Sequence, residues 1–250
     1  MQLSAFAEYL DHLLRVKEIP DSSLNGLQVG NSGDVERVAL AVDASQASIQ
    51  KAQDANCQLL LVHHGLFWGK PVALTGAFYQ RIKLLMDADL ALYATHLPLD
   101  LHPELGNNAQ VQQKLNWPVV GDFGEYHGVT IGKKIEFTVP QPLENLVQTF
   151  EKGLACDSTL WQFGPPEVKT IGYVSGGALS MLEQAIECGY DLYVTGEPGH
   201  SYYWTAKEAG INVLFGGHYA TETLGVQAVG QKIEQDLSLE TVFIDLPTGL

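Results

Sequence analysis

Cysteine is scarce in this 250-residue chain: Cys57, Cys156 and Cys188 are an odd number with no metal-type spacing. That excludes a disulfide framework and a thiolate zinc site, and its simplest reading is structural thiols in a reducing cytoplasm. Basic residues are also few, 14 Lys and Arg against 29 Asp and Glu, for a formal charge of −15. No basic cluster is longer than Lys133-Lys134. A phosphate-neutralising nucleic-acid surface, such as a ring-shaped DNA clamp would need, is therefore not expected. No apolar run approaches the roughly 20 residues that span a bilayer, so no membrane association is expected. The first twenty residues lack a basic start and carry Glu8 and Asp11 early; Leu3, Phe6, Ala7, Leu10, Leu13 and Leu14 share one helical face. This segment reads as an amphipathic helix and not as a signal peptide. Phosphate-loop, dinucleotide-fold and serine-elbow motifs are all missing.

What the chain does have is a 46% apolar content, enough for a sizeable core. Short apolar runs resembling buried strands occur at Val35–Val42, Leu59–Val62 and Leu90–Thr95, separated by helical stretches. Strands alternating with helices predict an α/β fold of layered sheets and helices. The order repeats in the second half. Val168–Gly176 parallels Val35–Asp43, Met181–Glu197 parallels Ser48–Gly65, and Ile211–Glu222 parallels Leu90–Asp100. Two pseudo-repeated α/β lobes follow. We place the first at residues 1–116, with 223–250 assignable to either lobe, a connecting strand-helix segment at 117–167, and the second lobe at 168–250.

Chemistry-bearing residues gather where the strand-like runs end. His96-Leu97-Pro98-Leu99-Asp100 and His218-Tyr219-Ala220-Thr221-Glu222 each set an imidazole four residues before a carboxylate, and His63-His64 closes the Leu59–Val62 run. Imidazole with carboxylate is the ligand set of divalent metals such as Zn, Mn, Fe, Co or Ni. In open α/β sheets ligands collect at the carboxyl ends of strands. Pro98 is expected to prevent a regular helix after His96, leaving His96 and Asp100 on a turn. His96 is open to three roles: ligand, support for a carboxylate, or general base. His218 and Glu222 are expected to open a helix and share its face. Glu197 and His200 are candidates to line the site, His200 as an acid or a substrate contact. His63-His64 aligns with Thr195-Gly196 in the second half, so the predicted site is one asymmetric centre built from unequal halves.

Five segments, Ser23–Gly30, Leu59–Trp68, Thr95–Asp100, Val194–His200 and Gly216–Glu222, together resemble the NGG-interacting-factor-like family, whose members carry the label GTP cyclohydrolase I type 2 homologue. The resemblance covers nearly the whole chain in order. It implies two similar α/β lobes around a cleft holding two divalent metals, ligated by His63, His64, Asp100, His218 and Glu222, with Glu222 bridging and His96 close by. It also implies a homo-oligomer, a hexameric ring built from dimers. The resulting expectation is a metal-dependent hydrolase of a small molecule (a nucleotide, phosphoester or cyclic amide), with His96 or His200 moving the proton. The alternative is a non-enzymatic metal-binding scaffold, carrier or regulator.

Overall fold

The computed structural model describes residues 1–250. The fold is mixed α/β, with two sheets and nine α-helices. The chain divides into two compact units. Unit 1 comprises residues 1–105 and 225–246, and unit 2 comprises 106–224 and 247–250. No helix is long and apolar enough to cross a membrane.

Unit 1 opens with α1 (Leu3–Leu14), followed by β1 (Gly26–Val29), β2 (Arg37–Asp43), α2 (Gln46–Asp54), β3 (Leu59–His64), α3 (Gly76–Asp87), β4 (Ala91–Ala94) and the single turn α4 (Leu97–Asp100). Unit 2 holds α5 (Asn107–Leu115), the hairpin β5 (Val119–Tyr126) and β6 (Val129–Pro142), α6 (Leu143–Leu154), β7 (Thr159–Trp161), β8 (Glu167–Tyr173), α7 (Leu182–Glu187), β9 (Leu192–Thr195), α8 (Tyr203–Ala209) and β10 (Asn212–Phe215). Helix α9 (His218–Leu237) contains the division between units, and β11 (Glu240–Phe243) belongs to unit 1.

The unit 1 sheet runs β1-β4-β3-β2-β11, parallel throughout except that β1 is antiparallel to β4. A parallel sheet covered on both faces needs strands that are apolar at every position. Leu59, Leu60, Leu61 and Val62 of β3 are all fully buried. Leu59 and Leu61 face a layer with Phe6, Leu10 and Val229, while Leu60 and Val62 face one with Ile49, Ala52 and Leu85. Burying such side chains stabilises by about 1.5–3 kcal/mol each, which fixes the register and therefore where β3 ends. Helix α2 starts directly beyond β2 because Ser45 and Ser48 form a reciprocal capping box.

The unit 2 sheet runs β5-β6-β8-β9-β10-β7. Its parallel core β8-β9-β10 has the same order as β2-β3-β4, and each core carries an antiparallel strand beside its third member, β7 in one case and β1 in the other. The strand beyond the first member differs: β6 is antiparallel to β8, whereas β11 is parallel to β2. Residues 117–167 supply β5, β6, α6 and β7, so this stretch contributes three strands to the second sheet.

One local expectation is corrected. Pro98 does not prevent a helical turn; it lies in the first turn of α4. A proline is tolerated there because the amide it lacks has no intrahelical partner at that position.

Candidate functional site

In unit 1 the chemistry lies at the C-terminal ends of β2, β3 and β4. Strand β3 extends through both histidines, with His64 in register with Asp43. Strand neighbours ordinarily point to opposite faces. Here the two rings nevertheless lie close, with centroids 4.7 Å apart, and the His96 ring is 5.1 Å from His63 and 5.8 Å from His64. His63 is fully buried, and its Nδ1 donates to the Thr95 carbonyl at 2.9 Å. His64 Nδ1 donates to Asp43 Oδ1 at 2.9 Å. Asp100 is buried, with Oδ2 3.6 Å from His63 Nε2. One ligating atom from each of His63, His64 and His96 lies within 4.8 Å of the other two, a group able to hold a metal ion.

His96 is held by the loop before β1. Its Nδ1 donates to both Asp21 oxygens, at 3.0 and 3.1 Å, and its backbone N–H donates to Asn25 Oδ1 at 2.8 Å. Asp21 also accepts from the N–H groups of Ser23 and Leu97 and from Asn25 Nδ2. Burial opposes ionisation of this carboxyl, but the hydrogen bond and charge of His96, with the bonds from Asn25 and Ser23, prevail and lower its pKa to about 2. Trp68 is partly exposed and sits edge-on to His96, with centroids 5.0 Å apart.

In unit 2 the corresponding corner lies at the ends of β8, β9 and β10. His218 heads α9, and its Nε2 is 3.2 Å from Oε2 of the buried Glu222, one turn on. Its Nδ1 is 3.2 Å from Glu197 Oε1 in the loop after β9. The hydrogen bond to Glu222 is the largest influence on the imidazole; against the opposing effect of burial, and with help from Glu197, it raises the His218 pKa to about 9. Gly176, at φ +66°, makes this packing possible, since a Cβ there would come within 2.1 Å of Glu222 Oε1. Its amide donates to Thr221 Oγ1, tying the loop after β8 to the first turn of α9.

Unit 1 thus groups His63, His64, His96 and Asp100, and unit 2 groups His218 and Glu222. His200 is exposed at the head of a 3-10 turn, His200–Tyr202, and makes no hydrogen bond or ion pair with the His218 group. The sequence reading missed Asp21, Asn25 and Asp43. The only available signals were the Asn- and Ser-rich segment before β1 and the carboxylate closing β2.

Two α/β units with histidine and carboxylate clusters at their strand ends define a class of protein, and the comparisons place the chain within it. The family model Duf34/NIF3 (NGG1p interacting factor 3) matches residues 1–248. The chain belongs to that family. It is 42% identical, over the full length of both chains, to a Pyrococcus abyssi protein named GTP cyclohydrolase 1 type 2 homolog. A Deinococcus radiodurans protein of the same name is 39% identical over 97% of this chain and 92% of its own. A crystal structure from Thermus thermophilus superposes with a TM-score of 0.92 at 37% identity, covering all of both chains.

Proposed function

We propose that the protein binds two divalent metal ions through His63, His64, Asp100, His218 and Glu222 and acts as a hydrolase on a nucleotide, phosphoester or cyclic amide. The observation that carries this reading is the orientation of the imidazoles. His63, His64, His96 and His218 each direct Nδ1 at an oxygen: the Thr95 carbonyl, Asp43, Asp21 and Glu197. Carbonyls and carboxylates only accept, so each Nδ1 carries a proton and leaves Nε2 as the nitrogen available to a cation; His218 Nε2, which faces Glu222, has to give up its proton first. A carboxylate or carbonyl behind the non-ligating nitrogen is the usual support of a metal-bound histidine. The donor set therefore fits a divalent cation.

A bound ion pair of this kind would supply a water of lowered pKa and would stabilise charge on attacking and leaving oxygens. The chain's own residues prepare for it. Asp43 fixes the tautomer of His64, Glu197 orients His218, and Asp100 and Glu222 bring anionic oxygens beside His63 and His218. His96 or His200 would move the proton, His200 being the more exposed of the two. Nucleotides head the substrate screen because the relatives carry the name GTP cyclohydrolase 1 type 2 homolog.

The test is the metal content, by mass spectrometry, of protein purified without chelator or affinity tag. Glu222→Ala and Asp100→Ala are expected to lose metal while keeping the circular dichroism of the parent; full occupancy in both overturns the ligand assignment. A metal-reconstituted screen over nucleotides, phosphoesters and cyclic amides then uses Glu222→Ala as control. Metal binding with no activity above that control supports the carrier or regulator reading instead.

A further inference from the structure

The loop after β3 is pinned at several points, and it leaves one large aromatic side chain in the open. Gly65 starts it, where a Cβ would collide with the Gln28 side chain and come within 2.5 Å of Ala94 Cβ. Gln28 Oε1 accepts from the Leu66 amide at 2.7 Å, and the Phe67 carbonyl accepts from the Leu24 amide at 2.9 Å. Leu66 is buried, and Phe67 turns into the same core, edge-on to Phe78 with centroids 5.5 Å apart. Gly69, at φ +64°, bends the chain beside the Ser22 carbonyl. Between these anchors Trp68 stays 37% exposed. Its Nε1–H donates to the Gly65 carbonyl at 3.0 Å, and its ring lies 5.0 Å from the His96 ring and 6.1 Å from that of His64.

We propose that Trp68 is a stacking platform for a flat nitrogen heterocycle, a nucleobase or a ring built like one, and so the residue that selects the substrate class. The proposal rests on the metal-binding reading above and narrows its substrates to those carrying such a ring. An indole has one hydrogen-bond donor, and here it is spent on Gly65. What the side chain still offers is its π-surface. Any nucleobase can stack on an aromatic side chain, because every base has a π-face. Trp68 therefore selects for the presence of a ring and not for one particular base. The anchored loop holds the indole in place before binding, so little side-chain freedom is lost when a ring settles on it. A stacked ring is thereby held beside His64 and His96, at the edge of the donor cluster, and proximity of that kind lowers a barrier. A sugar phosphate without a ring gains nothing from Trp68.

The experiment titrates the full-length chain, its metal content measured in every sample by mass spectrometry, with GMP and with ribose 5-phosphate. Binding is followed by calorimetry and by the indole Nε1–H resonances, among which Trp68→Phe identifies that of Trp68. The parent chain is expected to bind GMP at least about 10-fold more tightly than ribose 5-phosphate, with the Trp68 resonance shifting only for GMP. Trp68→Ala should weaken GMP about 5- to 100-fold and leave ribose 5-phosphate unchanged, while Trp68→Phe, which keeps a ring, should lose less than about 5-fold. Trp68→Leu, apolar but without a π-face, takes the place of Trp68→Ala if that variant does not fold. An equal loss for the two ligands would make Trp68 a cover for the imidazoles, and it overturns the proposal. Unchanged GMP affinity in Trp68→Ala overturns it as well, as does a metal-loaded parent that binds GMP no better than ribose 5-phosphate; in both cases the metal reading stands. A parent chain that holds no metal and takes none up overturns that reading and the substrate assignment with it.

Discussion

The donors that gather in this chain are nitrogen and oxygen, and its sulfur is kept apart. Burial is the main influence on Cys57 and Cys156, and it pushes both thiols up to about 11. A buried thiol resists becoming the charged thiolate, which is the form that binds metal or attacks a reagent. Thiolate therefore appears at these positions only as the pH climbs toward that value. Cys188, by contrast, is exposed. A native-state titration with a thiol reagent at pH 8 is expected to give one fast equivalent, at Cys188, with Cys57 and Cys156 about two orders of magnitude slower, and all three equal in denaturant. Blocking Cys188 should leave the bound metal unchanged by mass spectrometry. Metal released in step with that first equivalent would move the site from imidazole and carboxylate to thiolate. The same physics limits what residue types reveal. His63, His64, Asp100, His218 and Glu222 were legible because they follow apolar runs at short spacing. Asp21, Asn25 and Asp43 were not, because they meet their histidines across 75, 71 and 21 positions of chain, a separation that carries no periodic signal.

At the scale of elements, strand ends decide where the chemistry sits, and the loops that follow decide how closely groups approach. The strands were legible as continuous apolar runs, because both sheet faces are covered. The turn at Pro98 was misread because proline's cost depends on its position within a helix, and a helix start was not visible there. The loop after β8 carries the sharpest local demand. An alanine at Gly176 has to tolerate both φ +66° and a Cβ that meets Glu222 Oε1 at 2.1 Å. Gly189 has nearly the same φ, +67°, but a Cβ there would meet nothing within 4 Å. The two substitutions separate backbone strain from collision. Gly189→Ala is expected to cost about 1 kcal/mol in thermal unfolding and to keep its metal. Gly176→Ala should cost about 2–4 kcal/mol and lose metal, because Glu222 is driven from its place beside His218. Equal metal content in the two variants would show that the loop after β8 does not set the position of Glu222.

Over the whole molecule the balance of 14 basic against 29 acidic residues leaves a net charge of −15, and any cation relieves part of that repulsion. Specific metal binding has to be told apart from this general effect. Diffuse screening depends on ionic strength and acts over a Debye length of about 8 Å at 0.15 M salt, so in that buffer micromolar divalent ion adds nothing to it. A site that binds only the folded chain behaves differently. It stabilises by about 2.7 kcal/mol when the free ion is 100 times its dissociation constant. For a chain of this size each kcal/mol moves the melting temperature by about 2–4 °C. Removing metal with a chelator at 0.15 M salt should therefore lower the melting temperature by about 5–10 °C for each site emptied, and micromolar Zn2+ or Co2+ should restore it. Mg2+ at the same concentration should not, because three of the groups in unit 1 are imidazoles and Mg2+ selects oxygen. In Glu222→Ala the response should fall in step with the metal that variant loses. Equal recovery with Mg2+ and Zn2+, or a chelator shift that vanishes when salt is raised, would assign the effect to the overall negative charge and not to the histidine clusters at the strand ends.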